Sequence, residues 1–170
     1  VDETTIAVRL ALAALFGGVL GLERELSGQA AGLRTHMLVS LGACCFTLAS
    51  VFIEATLSTG SPDGTRGDIS RIASQVVVGI GFLGAGVIMR HGGQVKGLTT
   101  AANLWLTASV GLAAGLGFYF AAGATMAIAL LALAGLRPLE RGIRRYRRRR
   151  GLKVDGDVAS SPPQDSDGPD

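Results

Sequence analysis

Between Asp68 and Glu140 the sequence contains no acidic residue. That gap bears on the most recognisable motif in the chain. Gly79, Gly81 and Gly84 spell G-x-G-x-x-G after the apolar run Val76, Val77, Val78. A dinucleotide-binding turn also needs an acid about 20 residues further on to hold the ribose, and none is present. Cysteine is equally scarce. Cys44 and Cys45 are the only two, and as helix neighbours they point about 100° apart, so they hold no metal by themselves and are assigned as small packing residues. Charged residues make up only 17% of the chain, and residues 98 to 136 carry no charge of either sign, which excludes an ordinary water-exposed helix there.

What fills the chain instead is apolar. Hydrophobic residues account for 48%, glycines number 25, and the mean hydropathy is +0.41. A bilayer core takes about 20 mostly apolar residues per helix. Residues 5 to 22, 37 to 53 and 72 to 89 form three such blocks. The uncharged stretch 98 to 136 is about twice one crossing at about 1.5 Å per residue, so it divides, with the break expected near Gly115 to Gly117. The expected fold is an all-α polytopic bundle of five transmembrane helices over residues 1 to 137. A basic juxtamembrane segment, 138 to 153, and a disordered acidic tail, 154 to 170, follow; that tail carries Ser160, Ser161, Pro162 and Pro163 and has no core-forming composition.

Charge placement supports the same count. Arg24, Arg34, Arg90, Lys96, Arg137, Arg141, Arg144, Arg145, Arg147, Arg148, Arg149, Arg150 and Lys153 are thirteen of the sixteen basic residues, and five spans put all of them on one side. Cytoplasmic loops carry the Lys and Arg excess, so the N-terminus is expected outside and the C-terminus inside. Acids, rather than a basic leader, precede the first span, which is therefore expected to be a retained helix and not a cleaved signal peptide. The run Arg144, Arg145, Arg147 to Arg150 fits a topology determinant in contact with anionic lipid, about 1 kcal/mol per basic residue near the surface, better than a nucleic-acid site.

At 100° per residue the polar and small residues fall on lines. Asp68, Arg71, Gln75, Gly79, Phe82 and Gly86 lie within about 60° of one line on the third span. Lys96, Thr100, Asn103, Thr107 and Gly111 make another on the fourth. Ala11, Ala14, Gly18 and Gly21 form a small-residue stripe on the first, and Gly17 with Gly21 and Gly111 with Gly115 add G-x-x-x-G pairs. Membrane helices associate through such thin or hydrogen-bonding faces. Gly79, Gly81, Gly84 and Gly86 occupy two opposite faces, which predicts that the third span is the central helix. Asp68 is placed to cap that span. Arg9 either snorkels or pairs with Asp68 or Glu54, Glu23, Arg24, Glu25 and Arg34 fit a solvated interfacial helix in the first inside loop, and Asn103 is expected to face the bundle interior.

The blocks "RLALAALFGGVLGLERE" (9 to 25), "AGLRTHMLVSLGA" (31 to 43), "RIASQVVVGIGFLGAGVIMR" (71 to 90) and "VKGLTTAANLWLTASVGLAAGLGFY" (95 to 119) resemble the membrane domain of the MgtC/SapB family. The resemblance spans about residues 6 to 136. It implies a bacterial inner-membrane protein with a role in growth under magnesium limitation, in survival of pathogens within macrophages, and, for some members, in restraint of the F-type ATP synthase. It implies no catalytic chemistry and no cofactor. Arg9, Glu23, Arg24, Arg34, Thr35, Asp68, Gln75, Arg90, Thr100 and Asn103 stand in its motif positions and are the candidate functional residues. Well-known members carry a soluble ACT-like domain after the fifth span, where this sequence has its short tail. The functional expectation is a homo-oligomeric regulator acting on another membrane complex; the alternative is a transporter or channel lined by Gln75, Thr100, Asn103 and Thr107.

Overall fold

The computed structural model describes residues 1–60, 69–91, 94–136 and residues 138, 139, 142, 143, 145 and 146. Its helices are α1 (Glu3–Leu26), α2 (Leu33–Gly60), α3 (Ile69–Val87), α4 (Leu98–Leu116) and α5 (Tyr119–Leu130), the last continuing as a π-helical segment, Leu131–Gly135. Two of them, α1 and the Leu33–Thr56 part of α2, are long and apolar enough to cross a membrane. Expectations placed on Asp68, on Arg144 and Arg147 to Arg150, and on the tail 154 to 170 lie outside the described residues.

Each boundary has a local cause. Asp2 caps α1: Thr5 N–H donates to its Oδ2 at 3.3 Å and the Thr5 hydroxyl donates to Oδ1, satisfying orphan first-turn groups. Those hydrogen bonds hold the Asp2 carboxyl below its ordinary range. The uncharged stretch divides where expected. Gly117 adopts φ +87° and, with Phe118, donates back to Ala114 and Ala113 at 3.0 and 2.8 Å, a left-handed stop that glycine makes at no steric cost. Between α3 and α4 the chain forms a two-stranded antiparallel hairpin, β1 (Met89–His91) with β2 (Gln94–Lys96), pairing Arg90 with Val95. Sequence periodicity showed this segment only as a basic loop, because three residues per strand are too few to display alternation.

The helices pack in an order that corrects the expected one. α2 touches α1, α3 and α4; α4 touches α1, α2, α3 and α5; α3 contacts only α2 and α4 among the principal pairings. The centre is therefore the α2/α4 pair, and α3 lies on the flank. Ala13 of α1, Cys44 of α2 and Ala114 of α4 meet in one cluster. Leu20, Val110, Ala122 and Ala129 join α1, α4 and α5, and Ala43, Ile80, Leu104 and Ala108 join α2, α3 and α4. The glycines of α3 did not predict this. A Cβ added at Gly79, Gly81 or Gly86 would meet nothing within 4 Å, and at Gly84 only Ala101 at 3.6 Å.

Candidate functional site

Buried polar residues concentrate where α1, α2 and α4 meet. On α2 the buried positions His36, Ser40, Ala43, Thr47 and Ser50 are spaced four, three, four and three, the 3.5-residue period of a helix seam. On α1 Ala13, Gly17, Leu20 and Arg24 repeat the spacing. On α4 Thr100, Asn103, Thr107 and Gly111 of the line expected from sequence are all buried, whereas Lys96, its first member, lies on β2 and is exposed.

Glycine brings these seams together. A Cβ on Gly17 would sit 2.6 Å from both the His36 carbonyl oxygen and Ser40 Cβ, and one on Gly21 would sit 2.7 Å from Leu33 Cα. From the other side, Gly111 lies against the Ser40 backbone, and a Cβ on Gly115 would approach Thr47 Cβ to 2.7 Å. Helix α2 is thus held between two glycine faces. No L side chain fits without moving a backbone.

Two polar arrangements occupy this junction, about 22 Å apart along α1 at about 1.5 Å per residue. At one end His36 is fully buried. Its Nδ1 lies 2.9 Å from the Gly32 carbonyl and its Nε2 lies 2.8 Å from Asn103 Nδ2. A carbonyl only accepts, so Nδ1–H donates to Gly32 and Nε2 accepts from Asn103; the ring is a neutral tautomer with both nitrogens satisfied. Beside it, Arg24 Nε and Glu23 Oε2 are 3.0 Å apart, with side chains 5% and 13% exposed, and Ser27 Oγ donates to Glu23 Oε1 at 2.9 Å. The expectation of a solvated interfacial helix is therefore corrected at Glu23 and Arg24: both are helical, at the end of α1, but their neighbouring charges pair inside the helix junction. Glu25 is also committed, its Oε2 accepting from Leu33 N–H at 3.0 Å and so capping α2 from α1.

At the other end Arg9 donates from Nη1 to the Gly115 carbonyl at 2.6 Å, and a Cβ on Gly117 would lie 3.1 Å from its Nη2. The guanidinium caps the C-terminal carbonyls of α4, where the helix dipole is negative. Of the expected alternatives, snorkelling or a pair with Asp68 or Glu54, Asp68 lies outside the described residues, and the bond that Arg9 makes among them is to Gly115 and not to Glu54. Thr47 and Thr107 satisfy their hydroxyls within their own helices, donating to Ala43 and Asn103 carbonyls at 2.8 and 2.7 Å.

The remaining candidates are dispersed. Arg34, Thr35, Gln75 and Arg90 are exposed, whereas Thr100 is buried on α4. Gln75 lines a separate apolar groove of about 530 Å³ between α2 and α3, with Phe46, Gly79, Ile80, Leu83 and the α4 residue Ala108. Thr100, Asn103 and Thr107 belong to the buried face of α4 that meets α2 and α1. The four residues expected to line one pathway thus lie on two sides of α4. Among the described residues no group of three or more His, Cys, Asp or Glu could hold a metal ion. His36 was missed as a candidate, as were Ser40 and Thr47; their four-three spacing on α2 was the available signal.

The sequence profile described as the MgtC family matches residues 10–142. The chain belongs to the MgtC family. It is 46% identical over 112 residues to "Putative magnesium transporter YhiD" of Escherichia coli K12, covering 66% of this chain and 51% of that protein. Against Protein MgtC of Salmonella typhimurium LT2 it is 48% identical over 122 residues, covering 71% and 48%. Protein MgtC of Brucella abortus is 41% identical over 145 residues, covering 85% and 57%. The chain thus spans about half the length of these relatives. No solved structure matches it. The MgtC-family match contains both polar arrangements except Arg9, which lies one residue before it.

Proposed function

We propose that this MgtC-family chain is a five-span protein of the bacterial inner membrane, N-terminus outside, that supports growth under magnesium limitation by regulating another membrane complex, such as the F-type ATP synthase, through helix contacts. The observation that carries the regulator reading is the contrast between a closed polar junction and an open apolar face. His36 and Asn103 are hydrogen-bonded to each other, Glu23 and Arg24 pair their charges, and the large groove is lined almost wholly by apolar groups. A Mg²⁺ path requires oxygen ligands and retained water, whereas an apolar groove suits a neighbouring helix. The exposed Arg90, Lys96 and Arg145 fit the cytoplasmic face on this reading, against anionic lipid. The direct test is complementation of a strain lacking its MgtC protein in low-magnesium medium, with ATP synthase activity measured in its membranes. Restored growth with altered ATP hydrolysis supports the regulator; restored growth with unchanged hydrolysis removes ATP synthase as its target.

Transport is the second reading. It is favoured by the buried hydrogen-bonding residues on α2 and α4 and by the name of the E. coli relative. Mg²⁺, H⁺ and K⁺ flux into liposomes, with Asn103→Leu as the control, decides it. Wild-type flux that is lost in a folded, inserted variant establishes transport; no flux for any of the three ions favours regulation.

A further inference from the structure

We propose that α3 is the interface through which two copies of this chain pair in the membrane, with the Gln75 side chains hydrogen-bonded to each other across the two-fold axis. The proposal rests on the membrane-spanning reading above. Gln75, Gly79, Phe82 and Gly86 are spaced four, three and four, the period that keeps one face of a helix on a partner helix. All four are exposed, Phe82 at 82%. Their face continues into the groove beside α2, where Gln75 stands among Phe46, Val76, Gly79 and Ile80.

Gln75 selects the occupant. It makes no hydrogen bond within the described residues, and it lies six residues into α3 and three inside the apolar block that starts at residue 72, about 4.5 Å at about 1.5 Å per residue. In the hydrocarbon an amide without a partner is unfavourable, and acyl chains offer none. A protein partner must present a donor and an acceptor at the same depth. A second copy in the same orientation does so automatically: each Gln75 amide has two N–H donors and one carbonyl acceptor, and a two-fold axis along the membrane normal sets them level. One turn away Gly79 has open space where a Cβ would stand, so the backbones approach closely enough for the amides to meet. This contact is isologous and closes at two copies.

The test uses full-length chains in native membranes. Phe82→Cys and, as a control, Ile128→Cys on the exposed face of α5 (66% exposed) are made in a Cys44→Ala, Cys45→Ala background and treated with a short bis-maleimide. The proposal expects a dimer from Phe82→Cys and none from Ile128→Cys. Gln75→Leu should lower the dimer fraction between about threefold and thirtyfold, the range of one interhelical hydrogen bond, while Gln75→Asn retains most of it. Subunit counting by photobleaching of fluorescently tagged wild type needs no cysteine change and should give two steps. Single-step bleaching with no Phe82→Cys dimer overturns the proposal, as does equal cross-linking at both positions. Labelling of Phe82→Cys by a water-soluble maleimide in intact membranes would instead place α3 in water and remove the membrane-spanning reading itself; a shielded Phe82→Cys that stays monomeric removes only the dimer.

Discussion

The glycines of α1 and α4 and those of α3 look alike in the sequence and stand in opposite surroundings. Gly17, Gly21, Gly111 and Gly115 are each pressed against the α2 backbone or Cβ atoms, whereas Gly79, Gly81 and Gly86 face open space within the chain. The difference comes from what each glycine line faces. The lines on α1 and α4 flank the polar seam of α2, which needs close neighbours to satisfy His36. The line on α3 borders an open groove beside α2, where Gly79 has no atom against it. Glycine therefore marks where a helix is able to approach, and the polar residues opposite mark where it does.

The largest expected effect comes from charge inside the closed junction. Arg24→Leu leaves Glu23 without its guanidinium in a site where both side chains are almost wholly covered. Removing one partner of a buried pair costs about 3–5 kcal/mol. The single tryptophan, Trp105 on α4, provides the readout: SDS-induced unfolding followed by its emission should shift to much lower SDS. A change no greater than that from Arg34→Leu, which alters an exposed arginine, would show that the pair does not hold the junction.

Next is the close approach itself. Gly111→Ala puts a methyl group against the Ser40 carbonyl, and because that obstacle is backbone, α4 or α2 must shift. Overpacking of this kind costs typically about 1–3 kcal/mol, and the absence of a flexible neighbour places this site at the upper end. Thermal unfolding of the detergent-solubilised protein should occur several degrees lower. Combining Gly111→Ala with Gly17→Ala, on the opposite side of Ser40, should show coupling beyond the sum of the single changes; strict additivity would mean the two glycine faces act separately.

A smaller effect is expected from Asn103→Leu. It removes the donor to His36 Nε2 and leaves a buried acceptor unpaired, which costs about 1–3 kcal/mol. Replacing both partners, as His36→Leu with Asn103→Leu, should recover part of that loss, because no orphaned group remains. A double-mutant loss equal to or greater than the sum of the single losses would mean that the hydrogen bond does not link the two helices.

Hydropathy and periodicity locate the helices and one buried face. The five helical blocks, the stop at Gly117 and the buried α4 line through Thr100, Asn103 and Thr107 follow from hydropathy, glycine chemistry and a 100° step. These signals fail where the answer depends on which neighbour arrives. His36 escaped notice because one histidine two residues after Arg34 has no periodic meaning until Ser40, Ala43, Thr47 and Ser50 are counted with it. Adjacent opposite charges such as Glu23 and Arg24 read as solvated in a sequence, and only the packing of α2 over α1 buries them. The position of α3 was misjudged because glycines on two faces show that neighbours are permitted on both, and in a membrane lipid also serves as a neighbour.

The smallest effect sharpens the comparison from the open side. Gly81 lies on α3 outside the Gln75–Gly79–Phe82–Gly86 face, and a Cβ there would meet nothing within 4 Å. Gly81→Ala therefore adds no clash, and it reduces the conformational freedom that glycine loses on folding. In water such a helix-interior change is favourable by up to about 1 kcal/mol; here stability should be unchanged or slightly raised. The same SDS titration applied to Gly81→Ala and Gly111→Ala compares one methyl group added to two α-helical glycines. Equal losses would mean that Gly81 is covered in the assembled protein and that α3 has a neighbour on that side as well. A loss confined to Gly111→Ala would leave the difference where the packing puts it, in the α2 backbone that lies opposite one glycine and not the other.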